Sequence, residues 1–179
     1  MAYAMVYIMK WEMTRGFTLL ELLCTIVVLG IVLTVAAPSF QTMSASNQMK
    51  RVAGELEHFL VQAKSEAVWR NQDLWAHIES SVTPSLPGQW RLILTDSDTS
   101  GGTPIHYLDG ASFRDVVILS NYTSDQIKFD GVRGKVKDGN LEFYIANTTN
   151  QNLKLKSAYG ASRVMICAVG GSHYGYAQC

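Results

Sequence analysis

Arg15-Gly16-Phe17-Thr18-Leu19-Leu20-Glu21-Leu22 opens an apolar run that ends only at Ala37, and Glu21 is the sole charge within it. As a helix, residues 17–37 rise about 31 Å, which matches the hydrocarbon core of a bilayer and allows one crossing. An ionised Glu in such a span costs about 2.5–3.5 kcal/mol on insertion scales, so its presence implies a partner inside the membrane. The basic residues come first: Lys10 and Arg15 lead directly into Gly16, and the apolar run begins on the far side of that glycine. A secretory signal peptide is cut after its apolar region. Here a cut after Gly16 removes the charged leader and leaves the apolar helix intact, with Phe17 as its new N-terminus. Lys10 and Arg15 hold the leader on the cytoplasmic side. Met9 and Met13 are alternative starts to Met1, since residues 9–16 already form a sufficient leader.

Beyond the span, Pro38 is expected to bend the helix without ending it, because helical periodicity resumes at once. Met49, Val52, Leu56, Phe59, Leu60, Ala63, Ala67 and Val68 recur at spacings of three and four, with Lys and Glu between them. This predicts one helix through residues 38–70 whose apolar stripe needs a sheet to cover it. After Asn71 the pattern changes to short runs rich in β-branched and aromatic residues at 74–79, 90–95, 105–108, 116–119, 126–129, 141–146, 153–156 and 163–167. Turn residues separate them, and Asp138-Gly139 reads as the best hairpin. Gln126-Ile127-Lys128-Phe129 and Leu153-Lys154-Leu155-Lys156 alternate, which fits antiparallel sheets with one wet face. The expected fold is α+β: a long N-terminal helix packed on antiparallel sheet, with residues 71–179 as one β-rich domain.

The chain carries 15 basic and 15 acidic residues, so its formal net charge of zero argues against a protein that coats nucleic acid. Charge is uneven, however. From Lys128 onward stand Lys128, Arg133, Lys135, Lys137, Lys154, Lys156 and Arg163 against Asp130, Asp138 and Glu142. Solvated strand faces account for most such surpluses, with contact to an anion as the sharper reading. His58, His77, His106 and His173 are scattered without metal spacing, and no phosphate-loop or nucleophile-elbow pattern occurs. No metal, no cofactor and no enzymatic activity are expected. Of the three cysteines, Cys24 lies in the apolar run and reads as packing.

The order basic leader, Gly16, Phe17-Thr18-Leu19-Leu20-Glu21-Leu22 resembles the class III leader of type IV prepilins and type II secretion pseudopilins. Residues 127–135 and Ser162-Arg163-Val164-Met165-Ile166-Cys167 resemble the C-terminal half of the GspH/FimT family of minor pilins and pseudopilins. The resemblance implies that a prepilin peptidase cuts between Gly16 and Phe17 and that Phe17 is N-methylated. It also implies that Glu21 neutralises the amine of a neighbouring subunit's Phe17, fixing the axial stagger of a filament. The domains become leader 1–16, transmembrane helix 17–37, amphipathic helix 38–70 and periplasmic domain 71–179. The chain is then expected in the bacterial inner membrane as a single-pass protein and afterwards in a pilus or pseudopilus. Its partners are other minor and major pilins, the peptidase and an inner-membrane assembly platform. An oxidising periplasm favours a Cys167–Cys179 bridge, contributing about 3 kcal/mol by loop-entropy arithmetic.

The leading expectation is a minor pilin that joins a tip or priming complex and starts assembly of a type IV pilus. A minor pseudopilin of type II secretion is the alternative. A FimT-like receptor for DNA in natural transformation ranks behind both. Some FimT-like proteins bind DNA through a Gly-Arg-x-Arg segment, and the matching positions here, Ser162 to Met165, keep only Arg163. Lys154 and Lys156 are the residues that would join Arg163 in such a contact, with tyrosines 159, 174 and 176 available for stacking.

Overall fold

A computed structural model describes residues 16–148 and 151–179, apart from the side chains of residue 35 and residues 37–39. The described residues divide into two compact units between Thr42 and Met43. One helix, α1 (Leu19–Arg70), supplies residues to both. Its backbone stays helical through position 38, where proline was expected to bend but not break it.

Both ends of α1 follow from local sequence. Thr18 caps the start: the Glu21 amide donates to Thr18 Oγ1 at 3.2 Å and the Leu22 amide to the Thr18 carbonyl at 3.1 Å. At the far end Asn71 takes a left-handed backbone, φ 52°. Its amide donates to the Val68 carbonyl and that of Gln72 to the Ala67 carbonyl, each at 3.1 Å, which completes a Schellman motif.

Eight strands follow, β1 (Leu74–Ser80), β2 (Trp90–Thr95), β3 (Pro104–Asp109), β4 (Val116–Ser120), β5 (Gln126–Phe129), β6 (Gly139–Ile145), β7 (Leu153–Ala158) and β8 (Arg163–Ala168). They form two antiparallel four-stranded sheets, ordered β3-β2-β1-β5 and β4-β6-β7-β8. All eight runs read from the sequence are strands. The alternation in β5 and β7 is real as well: Ile127, Phe129, Leu153 and Leu155 are buried and Lys128 is exposed. The apolar stripe of α1 from Met49 to Ala67 is buried with Leu74, Leu92, Ile127, Phe129, Leu141, Phe143 and Leu153 in one core. Phe59 stacks on His106 of β3, ring centroids 5.4 Å apart.

Two expectations fail. Val68, read as the last residue of the stripe, is 46 % exposed, because the register that buries Ala63 and Ala67 turns position 68 outward, while Ala53 takes a core place instead. Asp138-Gly139 is no hairpin turn, since β5 and β6 belong to different sheets. The reversal after β5 is made instead by residues 130–135. There the Asp130 amide donates to the Lys135 carbonyl at 2.8 Å, and Phe129 bridges Val136.

Candidate functional site

In the first unit the apolar side chains of the helix are largely exposed among the described residues. Leu19 to Leu33 carry large hydrophobic residues 51–82 % exposed. Glu21, Cys24, Thr25, Val28, Leu29 and Val32 line a shallow groove of about 380 Å³ along one face. Their spacing of three and four puts them on one side of the helix, the geometry by which one helix receives another. The two threonines turn their hydroxyls back on the helix, Thr25 to the Leu22 carbonyl at 2.8 Å and Thr34 to that of Ile31 at 2.7 Å. Glu21 is different: its carboxylate has no hydrogen-bond or ion-pair partner among the described residues. Cys24, read from sequence as packing, is exposed within the chain and borders the same groove.

Gly16 and Phe17 lie just ahead of α1 in exposed, non-helical backbone, and no heavy atom lies within 4 Å of the place a Cβ on Gly16 would occupy. The rest of the leader, residues 1–15, lies outside the described residues. So do residues 149 and 150. Among the described residues no helix is long and apolar enough to cross a membrane. Residues 35 and 37, at the end of the expected span 17–37, are among those whose side chains are not described.

Lys154, Lys156 and Arg163 share the outer face of β7 and β8, because Ala158 pairs with Arg163 and Lys156 with Met165. Lys156 and Arg163 border one groove of about 290 Å³ with Met165. Lys154 is committed elsewhere: its ammonium lies 3.3 Å from Glu142 Oε2, directly across the strand pair, and Asn152 donates to the other oxygen at 2.7 Å. Tyr174 and Tyr176 pack against the core, and burial raises both phenols, Tyr176 also through nearby Glu57. Tyr159 instead lies under Lys135, whose Nζ is 4.5 Å from the ring centroid.

Cys167 and Cys179 are bonded, 12 residues apart in sequence. The closed segment returns along the edge of β8, where Ala168 forms a parallel bridge with Gln178. Among the described residues no group of three or more His, Cys, Asp or Glu side chains is placed to hold a metal ion. His77 is occupied by Thr95 Oγ1 at 3.0 Å and the Ser97 carbonyl at 3.1 Å.

Residues 52–170 match the family described as type II transport protein GspH, and residues 13–37 match the prokaryotic N-terminal methylation motif. The chain belongs to the GspH family. This GspH-family chain is 32 % identical over 98 residues to a fimbrial protein of Pseudomonas aeruginosa, a match covering 53 % of this chain and 60 % of that protein's length. It is 43 % identical over 42 residues to a type IV major alpha-pilin of Moraxella bovis, covering 24 % and 26 %. Its fold matches the crystal structure of the type IV minor pilin FimU of Pseudomonas aeruginosa with a TM-score of 0.54 at 18 % identity, over 69 % of this chain and 94 % of that one. The architecture of the GspH-family chain is therefore that of a type IV pilin-like minor pilin or pseudopilin.

Sequence reasoning named Gly16, Phe17 and Glu21 but passed over Thr18. The signal was available: Thr18 and Glu21 stand in the Thr-x-x-Glu spacing of a capping box, which marks a helix start. It also left Lys128, Lys135 and Lys137 as scattered surplus charge, although they line one cleft.

Proposed function

We propose that this chain is a minor pilin that enters an inner-membrane priming complex and starts assembly of a type IV pilus at or near its tip. One observation carries the reading: among the described residues an apolar helix face is left open, with a single unpartnered carboxylate, Glu21, at one end of the groove. Such a face is unstable in water and needs either lipid or other helices. In the proposed sequence of events residues 17–37 anchor the precursor in the membrane. Hydrolysis of the Gly16–Phe17 amide by a prepilin peptidase then frees the Phe17 amine, which is methylated. In the filament that amine meets Glu21 of the adjoining subunit. The apolar surroundings strengthen their attraction, while a mismatched stagger leaves both charges unpaired, so the pair selects the register.

Glu21→Ala is expected to insert and be cleaved as the native chain is, yet to be recruited poorly into filaments. Immunoblots of sheared filaments against membrane fractions read both steps, and normal recruitment of the variant would defeat the proposal. The family's description as a type II transport protein favours a second reading, a minor pseudopilin of the secretion machine. Deleting the gene separates the two: lost twitching motility with intact secretion supports the pilus, and the reverse supports the pseudopilus.

A further inference from the structure

Beside edge strand β5 and the turn between β7 and β8, Lys128, Asp130, Lys135, Lys137, Asp138 and Tyr159 line a cleft of about 500 Å³. Its walls are held by the fold itself. The Lys137 amide donates to the Lys128 carbonyl at 2.9 Å, the Tyr159 amide to Asp138 Oδ1 at 2.6 Å, and Lys64 Nζ from α1 to the Ser162 carbonyl at 3.0 Å. The cleft is thus preformed, which reduces the ordering cost of binding.

The acids in and behind this cleft are already employed. Asp130 Oδ1 accepts from the amides of Val132 and Arg133, both at 2.8 Å. Asp73 takes the Lys128 ammonium at 2.6 Å and the Gly131 amide at 3.0 Å. The ammoniums keep capacity, since each offers three donors. Lys128 spends one on Asp73, Lys137 one on the Thr123 carbonyl at 3.1 Å, and the Lys135 ammonium, which lies over the Tyr159 ring, makes no hydrogen bond among the described residues. Lys135 and Lys137 are half-buried, where a charge attracts its opposite more strongly than on open surface.

We propose that this cleft binds an acidic peptide segment of a protein partner, with Lys135 and Lys137 taking its carboxylates and Tyr159 receiving an adjacent apolar side chain. Asp73, Asp130 and Asp138 stand among the lysines and repel a chain charged at every unit. Separated carboxylates fit between them better than a phosphodiester backbone does. Nor does a basic track continue outward along β7, because Lys154 is tied to Glu142. The inference is independent of the role of α1 in assembly.

The full chain in detergent micelles is titrated with a fluorescein-labelled peptide of alternating Glu and Ala, and separately with an oligodeoxythymidylate of equal charge, following anisotropy. The peptide is expected to bind in a salt-weakened manner, and Lys135→Gln/Lys137→Gln to weaken it about ten-fold. Lys50→Gln, on the exposed side of α1, leaves binding unchanged. Lys135→Glu removes no hydrogen bond of the fold and is expected to abolish binding while circular dichroism stays native, which guards against unfolding as the cause. Absence of peptide binding, equal binding by these cleft variants, or tighter binding of the oligonucleotide would each overturn the proposal.

Discussion

The ring of Tyr122 fills the space that a Cβ on Gly139 would need. Its hydroxyl shares a hydrogen bond of 2.9 Å with Ser157 Oγ, which in turn donates to the Lys137 carbonyl. Three segments distant in sequence are therefore tied at one buried point: the turn after β4, the start of β6, and β7. Glycine at 139 is a packing requirement here, and its chain reversal signal is incidental.

Gly139→Ala is accordingly expected to destabilise the chain by about 1–3 kcal/mol, the range for overpacking a well-filled site. Denaturant unfolding of the full chain in micelles measures it. Combined with Tyr122→Ala, which empties the space, the loss is expected to fall well short of the sum of the two single losses. Simple additivity would show that the ring and the glycine are not coupled.

Burial pushes the Tyr122 phenol up to about 12, against a partial offset from its bond to Ser157. A raised phenol binds its proton more tightly in the folded chain than in the unfolded one. The associated stability is complete below pH about 10, the unfolded value, and is lost as pH climbs through the folded value near 12. The contribution is about 3 kcal/mol. Tyr122→Phe loses the hydrogen bond at every pH but is expected to show a flatter fall in stability across that alkaline window. An identical slope in the two proteins would refute the assignment.

The helix was legible from its 3.6 periodicity, and the strands from short runs of β-branched and aromatic residues set between turns, with clean alternation in β5 and β7. The errors came where tertiary partners decide. Asp-Gly at 138–139 has hairpin chemistry, but Tyr122 and Ser157, both remote in sequence, place it at the entry to a strand of the other sheet. Val68 fits the stripe by count, and only the exact rotation of the helix over the sheets turns it outward. For the assembly site, Glu21 declares itself because a charge in an apolar run is costly, which outweighs the plainer reading of a signal anchor with one tolerated polar residue. The lysine cleft does not, since it is built from β5, the loop after it and the β7–β8 turn, which no local pattern connects.

Asn71 ends α1 in the left-handed region at φ 52°, a conformation that costs a β-branched residue about 1–2 kcal/mol. Asn71→Val is expected to lose about that much stability, whereas Asn71→Gly stays within a few tenths of a kcal/mol of the native chain. Thermal unfolding of the two variants side by side checks the Schellman assignment. Equal stability of the valine and glycine variants would count against it.

The segment closed by Cys167 and Cys179 covers the Ala168 end of edge strand β8. The Ala168 amide donates to the Ala177 carbonyl at 2.8 Å, and the Cys179 amide returns to the Ala168 carbonyl at 2.9 Å. Uncovered, the edge of β8 offers backbone groups to any passing strand. Cys179→Ser is therefore expected to cost about 3 kcal/mol by loop-closure entropy and to do more than lower stability. Amide exchange at Ala168 should accelerate ahead of the buried strand β7, and the variant should self-associate at concentrations where the native chain does not. If exchange at Ala168 rises only in step with global unfolding, the bridge acts on the unfolded chain alone and the edge is protected by something else.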